Sequence, residues 1–91
     1  MENSKLVKLK IALDKVHDWP SMYLFKFIVP SDNKKIAQVE ALFNSKTAEV
    51  RLRQSKNGNY TSVTAREVMT SADKVVECYK EAYKIEGLIA L

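Results

Sequence analysis

The side chains that most often perform catalysis are sparse in this sequence, which contains a single histidine, His17, and a single cysteine, Cys78. A catalytic thiol needs a base within hydrogen-bonding reach, and these two residues fall on different predicted elements with no reason to meet. A zinc site generally needs about four ligands, which this pair cannot supply. We therefore expect no catalytic residue, no metal and no cofactor, and we interpret Cys78 as a buried packing residue.

The acidic residues and the glycines form no recognisable site either. The two glycines are too few for a glycine-rich loop that binds phosphate. No spacing pairs two carboxylates for acid–base catalysis. Six of the eleven acids have the setting of a solvated helix charge: Asp14, Asp18, Glu40, Glu77, Glu81 and Glu86. These observations predict a protein that is not an enzyme.

Basic residues offer the best starting point for a functional hypothesis. Fifteen Lys and Arg against eleven Asp and Glu give a net charge of +4 and a pI near 9.2, which suits nucleic acid, anionic lipid or an acidic protein surface. All three arginines, Arg51, Arg53 and Arg66, lie in one pair of alternating segments. Their arrangement therefore depends on the structure that those segments form.

Residues 48–68 consist of two alternating segments joined by Lys56-Asn57-Gly58-Asn59. Asn-Gly in this setting predicts a β-hairpin with a two-residue type I′ turn, in which both central residues have positive φ. That register places two apolar pairs on a dry face: Leu52 with Val63 and Val50 with Ala65. On the wet face it pairs Arg53 with Ser62, Arg51 with Thr64, Glu49 with Arg66 and Ser55 with Tyr60.

A strand and a helix are predicted before the hairpin. Residues 22–29 are rich in β-branched and aromatic residues, which is typical of a central strand. A helix is expected to begin at a cap formed by Ser31 or Asp32, to continue to about Phe43 and to end at Asn44-Ser45. The residues of the strand that face the core would be Tyr23, Phe25, Phe27 and Val29.

A second helix and a short strand are predicted after the hairpin. Thr70-Ser71 with Asp73 resembles a capping box, Gly87 is the candidate C-cap, and residues 88–91 form a final strand. The helix is indicated by apolar residues at helical spacing: Ala72, Val75, Val76, Tyr79, Ala82 and Tyr83.

Residues 3–18 are ambiguous, because their apolar positions fit two periods. Leu6, Leu9, Leu13 and Val16 suit a helix, whereas Val7, Leu9, Ile11 and Leu13 alternate as in a strand. We favour a short helix that ends before Pro20, since a residue that precedes proline is disfavoured in the α conformation. Trp19 is interpreted as a packing anchor of this arm.

These elements predict an α+β protein with a single ferredoxin-like domain over residues 1–91, consisting of an N-terminal helical arm (1–20) and a βαββαβ core (22–91). The core would be a two-layer sandwich with an antiparallel sheet in the order 4-1-3-2. Both core helices would cover the same sheet face. The opposite face would remain open.

The open face would carry the candidate partner-binding residues Lys26, Arg51, Arg53, Tyr60, Arg66, Leu24 and Ile28, together with Ser62 and Thr64. Apolar residues beside arginine are typical of protein interfaces, so the first hypothesis is a small regulatory or interaction module that binds a protein partner or a second copy. RNA binding is the alternative, although RNA-binding sheets stack bases on aromatic residues. Here the central strands hold Lys26, Ser62 and Thr64 instead, and Tyr60 is the one aromatic candidate.

The compartment is inferred from cysteine usage and from the N-terminus. One cysteine cannot form an internal disulfide, which is typical of a reducing compartment. The N-terminal segment lacks the apolar region of a signal peptide, and no window approaches the roughly 18 apolar residues of a membrane helix. We expect a cytoplasmic protein with neither a membrane nor DNA as a partner.

One segment resembles a known family. Residues 56–64, Lys-Asn-Gly-Asn-Tyr-Thr-Ser-Val-Thr, are similar to the Ser-Lys-Gly-Asn-Tyr-x-Ser-Val block of the YbeD-like small bacterial proteins. The resemblance extends over about residues 13–91 and includes Trp19-Pro20 before the first strand. It implies a ferredoxin-like fold similar to the ACT regulatory domains of amino-acid-biosynthetic enzymes, and with it regulation or the sensing of a small ligand.

Overall fold

The computed structural model describes residues 2–43 and 46–91. Within these residues it has three helices and four strands. In chain order they are α1 Glu2–Val16, β1 Ser21–Pro30, α2 Asn33–Glu40, β2 Glu49–Gln54, β3 Tyr60–Met69, α3 Ala72–Ala82 and β4 Ile89–Ala90. None of the described helices is both long and apolar enough to cross a membrane.

The strands form one antiparallel sheet in the order β2-β3-β1-β4. This is the predicted order 4-1-3-2 counted from the opposite edge. The α+β architecture is therefore established, and its arrangement is compatible with a ferredoxin-like fold. The predicted final strand, 88–91, is shorter than expected, because only Ile89 and Ala90 pair with β1.

The core lies between one face of the sheet and the helices. Alternation along β1 and β3 directs every second side chain towards the helices, and Phe25, Phe27, Val29, Val63 and Ala65 are fully buried there. Tyr79 of α3 packs edge-on against Phe27, with ring centroids 5.7 Å apart. The predicted core face of β1 is thus confirmed.

The edge strand β2 is less well covered than the hairpin pattern predicts. Leu52 pairs with Val63 as expected, yet Leu52 is 47% exposed whereas Val63 is fully buried. A strand at the edge of a sheet has a neighbour on one side only. The apolar face of the hairpin is therefore buried along β3 and only partly buried along β2.

The predicted type I′ turn is wrong, although the predicted register is right. Gly58 has positive φ, but Asn57 does not, because the Asn57 carboxamide oxygen accepts hydrogen bonds from the Ser55 hydroxyl and the Asn59 N–H. The Ser55 N–H donates to the Tyr60 carbonyl oxygen at 2.7 Å, which closes a loop of four residues. The predicted two-residue turn would have joined Lys56 and Asn59, one pair nearer the tip. Because Ser55 still faces Tyr60, every predicted pair within the two strands is preserved.

The helix caps follow the sequence signals in part. Asp32 caps α2, its carboxylate accepting a hydrogen bond from the Lys34 N–H at 2.8 Å. This helix ends at Glu40, earlier than predicted, and the predicted terminator Asn44-Ser45 lies outside the described residues. Ser71 caps α3.

The C-terminal end of α3 corrects two expectations. The helix ends at Ala82 with Tyr83 as its C-cap, and Tyr83 is exposed rather than part of the buried stripe. Gly87 is not the cap of this helix. It has φ +84° in the turn before β4, where a Cβ atom would lie 2.9 Å from Pro30 Cγ.

The N-terminal arm is helical, as favoured from the sequence, and it packs against α3. Leu6 and Leu13 are buried there, and the Lys10 Nζ atom lies 3.1 Å from a carboxylate oxygen of Asp73. Val16 belonged to the predicted apolar stripe but is 76% exposed, because it is the last residue of α1. Trp19 packs against the core cluster, which supports its interpretation as an anchor.

Candidate functional site

The open face is the surface of the sheet that lies opposite the helices. Strand pairing arranges its side chains in transverse rows, because paired residues of an antiparallel sheet point to the same side. One row runs Ile89, Ile28, Ser62, Arg53; the next runs Lys26, Thr64, Arg51; a third runs Leu24, Arg66, Glu49. All seven predicted site residues lie on this face: Leu24, Lys26, Ile28, Arg51, Arg53, Tyr60 and Arg66.

Apolar residues of the open face lie on both sides of the charged row formed by Lys26, Thr64 and Arg51. β1 and β4 contribute Leu24 and Ile89, which are 56% and 52% exposed. Ile28 pairs with Ile89, and Lys26 lies between Leu24 and Ile28 on β1. β2 and β3 contribute three arginines. Three further exposed apolar residues lie on this face and are absent from the set predicted from the sequence: Met22, Val68 and Ile89.

Two of these omissions were avoidable. Met22 and Val68 have the same alternation as the predicted residues and pair directly with each other. Ile89 is different, because it joins the face only through the position of β4 beside β1. The predicted order 4-1-3-2 placed residues 88–91 beside β1, but it did not fix which of them faces the open side; the structure shows that Ile89 pairs with Ile28.

A depression of about 350 Å³ lies at the hairpin end of the open face. It forms where the small side chain of Ser62 stands between the larger Ile28 and Arg53 in the same row. The Ser62 hydroxyl donates to the Arg53 carbonyl oxygen at 3.3 Å, which turns its polar group towards β2. The depression is lined by Ile28, Arg53, Gln54, Ser55, Tyr60, Ser62 and Ile89.

The charges of the open face are only partly neutralised. The Glu49 carboxylate lies between two arginines: one of its oxygens is 3.9 Å from a guanidinium nitrogen of Arg51, and the other is 3.7 Å from a guanidinium nitrogen of Arg66. In the part of the chain that the structure describes, Lys26 and Arg53 make no ion pair. Exposed ion pairs contribute about 0–1 kcal/mol to stability, so Arg51 and Arg66 remain available to another anion despite their contacts with Glu49.

The residues first considered for catalysis have structural contacts. His17 Nδ1 lies 2.9 Å from the Ser21 hydroxyl oxygen, and the His17 ring stacks on Trp19 with centroids 5.1 Å apart. Burial, and secondarily the charge of Glu67, raises the pKa of the Cys78 thiol to about 12. A thiol reacts as its thiolate, so Cys78 has the properties of a packing residue.

Another buried group lies between β1 and α3. The hydroxyl oxygens of Tyr23 and Tyr79 lie 3.1 Å apart. Burial, followed by this hydrogen bond, raises the pKa of Tyr79 far above its usual range, so its hydroxyl stays protonated. Among the described residues no three His, Cys, Asp or Glu side chains are placed to hold a metal ion.

The fold and the open face define a small α+β domain in which helices cover one face of a four-stranded sheet. The family model described as "Protein of unknown function (DUF493)" matches residues 14–91. The chain belongs to this family, which includes the YbeD-like proteins, so the resemblance found in the sequence is confirmed. No curated protein and no solved structure matches the chain significantly.

Proposed function

We propose that this protein is a non-enzymatic interaction module of ferredoxin-like fold that binds a protein partner through the open face. The observation that carries the proposal is two groups of exposed or partly exposed apolar side chains on either side of the row of Lys26: Met22, Leu24 and Val68, and Ile28 and Ile89. Lys26 and Arg53 have no described ion-pair partner. Contiguous exposed apolar residues on a soluble domain mark interaction sites, and arginine is enriched at protein interfaces.

The regulatory part of this hypothesis rests on the resemblance to ACT domains, and fold similarity alone does not transfer a function. A second candidate function, the sensing of a small ligand, is favoured by the depression of about 350 Å³ beside Ser62, since ligand sites have volumes of about 300–1,000 Å³. RNA binding has less support, because Tyr60 is the only aromatic residue on the described open face.

We also propose a cytoplasmic location. The single cysteine is buried and unpaired, which fits a reducing compartment. This location would give the open face access to intracellular proteins.

The test is affinity capture from bacterial extract, with and without nuclease, by three folded baits. They are the wild type, an Arg51→Glu/Arg53→Glu variant, and a Lys34→Glu/Lys80→Glu control that makes the same charge change on exposed residues of α2 and α3. We expect a protein to be retained after nuclease by the wild type and the control but not by the open-face variant. Circular dichroism and thermal melting establish that all three baits are folded.

Three results would contradict the proposal. Capture that disappears with nuclease would favour RNA as the partner. Equal capture by all three baits would locate binding elsewhere on the molecule. If no bait retains a protein, while an amino acid raises the wild-type melting temperature in a ligand screen, the sensing function would take precedence.

A further inference from the structure

The open face combines an apolar depression and a cationic site in adjacent rows. Ser62 lies at the base of the depression, and Thr64 is the next residue of β3 on the same face. Thr64 is flanked by Lys26 of β1 and Arg51 of β2. Same-face neighbours along a strand are about 6.7 Å apart. An apolar pocket and a pair of flanking cations are therefore held at a fixed and short separation.

This spacing matches that of alternate side chains in an extended peptide. Residues i and i+2 of an extended chain point the same way and are also about 6.7 Å apart. An apolar side chain at one position would enter the depression between Ile28 and Tyr60. A carboxylate two residues away would then lie above Thr64, within reach of both Lys26 and Arg51, whose side chains are long and flexible.

Charge complementarity argues for an acidic occupant. The open face carries four basic side chains and one acidic side chain, Glu49, which leaves a net charge of +3. A second copy stacked face to face would bring these like charges together, which is unfavourable. A nucleic acid would satisfy the cations, but the depression is lined by Ile28 and Ile89, and Tyr60 is its only aromatic residue.

We infer that the open face binds an extended acidic segment of a partner protein, in which an apolar residue and an Asp or Glu are separated by one residue. The apolar side chain fills the depression over Ser62, and the carboxylate pairs with Lys26 and Arg51. This inference rests on the proposed function, because it names the kind of segment that the same face would recognise.

The test begins with a random octapeptide library displayed on phage and selected against the immobilised full-length protein. A selected peptide is then synthesised with a fluorophore, and its affinity is measured by fluorescence polarisation. The variants are Ser62→Phe, which fills the depression, and Lys26→Glu/Arg51→Glu, which reverses the flanking charges. The matched control is Lys34→Glu/Lys80→Glu on the helices, and a labelled 20-nucleotide oligouridine is measured in parallel.

We expect the selected sequences to share an apolar residue and an acidic residue at i and i+2, in either order. Each open-face variant should weaken peptide binding by about tenfold or more, and the control should change it by less than about twofold. Wild-type binding should weaken as salt rises, because the flanking cations are exposed.

The inference is overturned if the selection yields no acidic consensus, or if neither open-face variant weakens the selected peptide. It is also overturned if oligouridine binds more tightly than the peptide and loses binding in the same variants. Failure here is distinguishable from failure of the proposed function. Capture of a protein that depends on Arg51 and Arg53, without any acidic consensus, would retain the interaction module and exclude only this class of ligand.

Discussion

At the scale of single residues, Val63 is the position in the hairpin at which we expect a charged substitution to destabilise the protein most. It is fully buried and pairs with Leu52 on one side and Phe27 on the other. Val63→Asp would place an unpaired carboxylate in the core, and we expect it to lower the free energy of unfolding by about 3–5 kcal/mol. The measurement is urea unfolding followed by circular dichroism.

Val68 supplies the matched control for this prediction. It lies on the same strand but on the open face, where it is 52% exposed, so Val68→Asp should change stability by less than about 1 kcal/mol. Equal destabilisation by the two substitutions would mean that β3 does not present its faces as described.

The two glycines form a second matched pair. Both have positive φ, but a Cβ at Gly87 would lie 2.9 Å from Pro30 Cγ, whereas a Cβ at Gly58 would have no atom within 4 Å. Gly58→Ala should cost only the strain of the left-handed backbone, about 1–2 kcal/mol. We expect Gly87→Ala to cost more, because the proline ring must also move.

Chemical denaturation of both alanine variants, at equal m-values, measures this difference directly. A Gly87→Ala protein as stable as Gly58→Ala would show that the turn before β4 does not pack closely against Pro30.

At the scale of elements, α1 is held to α3 by a few apolar side chains. Leu13 is buried and Val16 is 76% exposed on the same helix. Leu13→Ala should therefore destabilise the protein by about 2–5 kcal/mol, whereas Val16→Ala should have almost no effect. The midpoints of thermal unfolding of the two variants provide the measurement.

If Leu13→Ala melts like the wild type, the arm contributes little to the fold and is separable from it. This comparison has a further use, because the family match begins at residue 14 and α1 begins at Glu2. It shows whether the segment before residue 14 belongs to the same cooperative unit as the family-matched part.

At the scale of the whole molecule, the helices cover one face of the sheet and the other face stays open, which gives a flat shape of about 39 × 32 × 20 Å. Two copies stacked on their open faces would oppose four basic side chains with four others, so we expect a monomer. Sedimentation equilibrium at micromolar concentration and physiological salt should give a mass close to 10.4 kDa.

A dimer that becomes monomeric when Leu24 is changed to Lys would contradict this prediction. It would also make a second copy, rather than another protein, the occupant of the open face. A dimer unaffected by that change would indicate contact through a different surface, such as the edge of β2.

Much of the fold and of the open face could be predicted because strand alternation is a local property. Side chains alternate between faces with a period of two, so the sequence alone assigned Arg51, Arg53 and Arg66 to one side and Val63 to the other. The register was predicted from a two-residue turn at Asn57-Gly58, which would make Lys56 face Asn59 and Ser55 face Tyr60. The register is correct even though the turn type was wrong, because the four-residue loop leaves Ser55 opposite Tyr60 and therefore keeps the same offset between the strands.

The remaining features depend on contacts between residues that are distant in the chain. The sequence could not show that Ile89 is the residue of the last strand that faces the open side, that Leu52 stays half-exposed at an edge, or that Val16 lies outside the contact between α1 and α3. The depression over Ser62 likewise needs side chains from β1, β2, β3 and β4 together. The sequence by itself thus determined which side chains share a strand face and, through the order of the elements, which strands are neighbours. Only the tertiary structure decided how far each side chain is covered, because burial at an edge or in a depression depends on packing across the whole sheet.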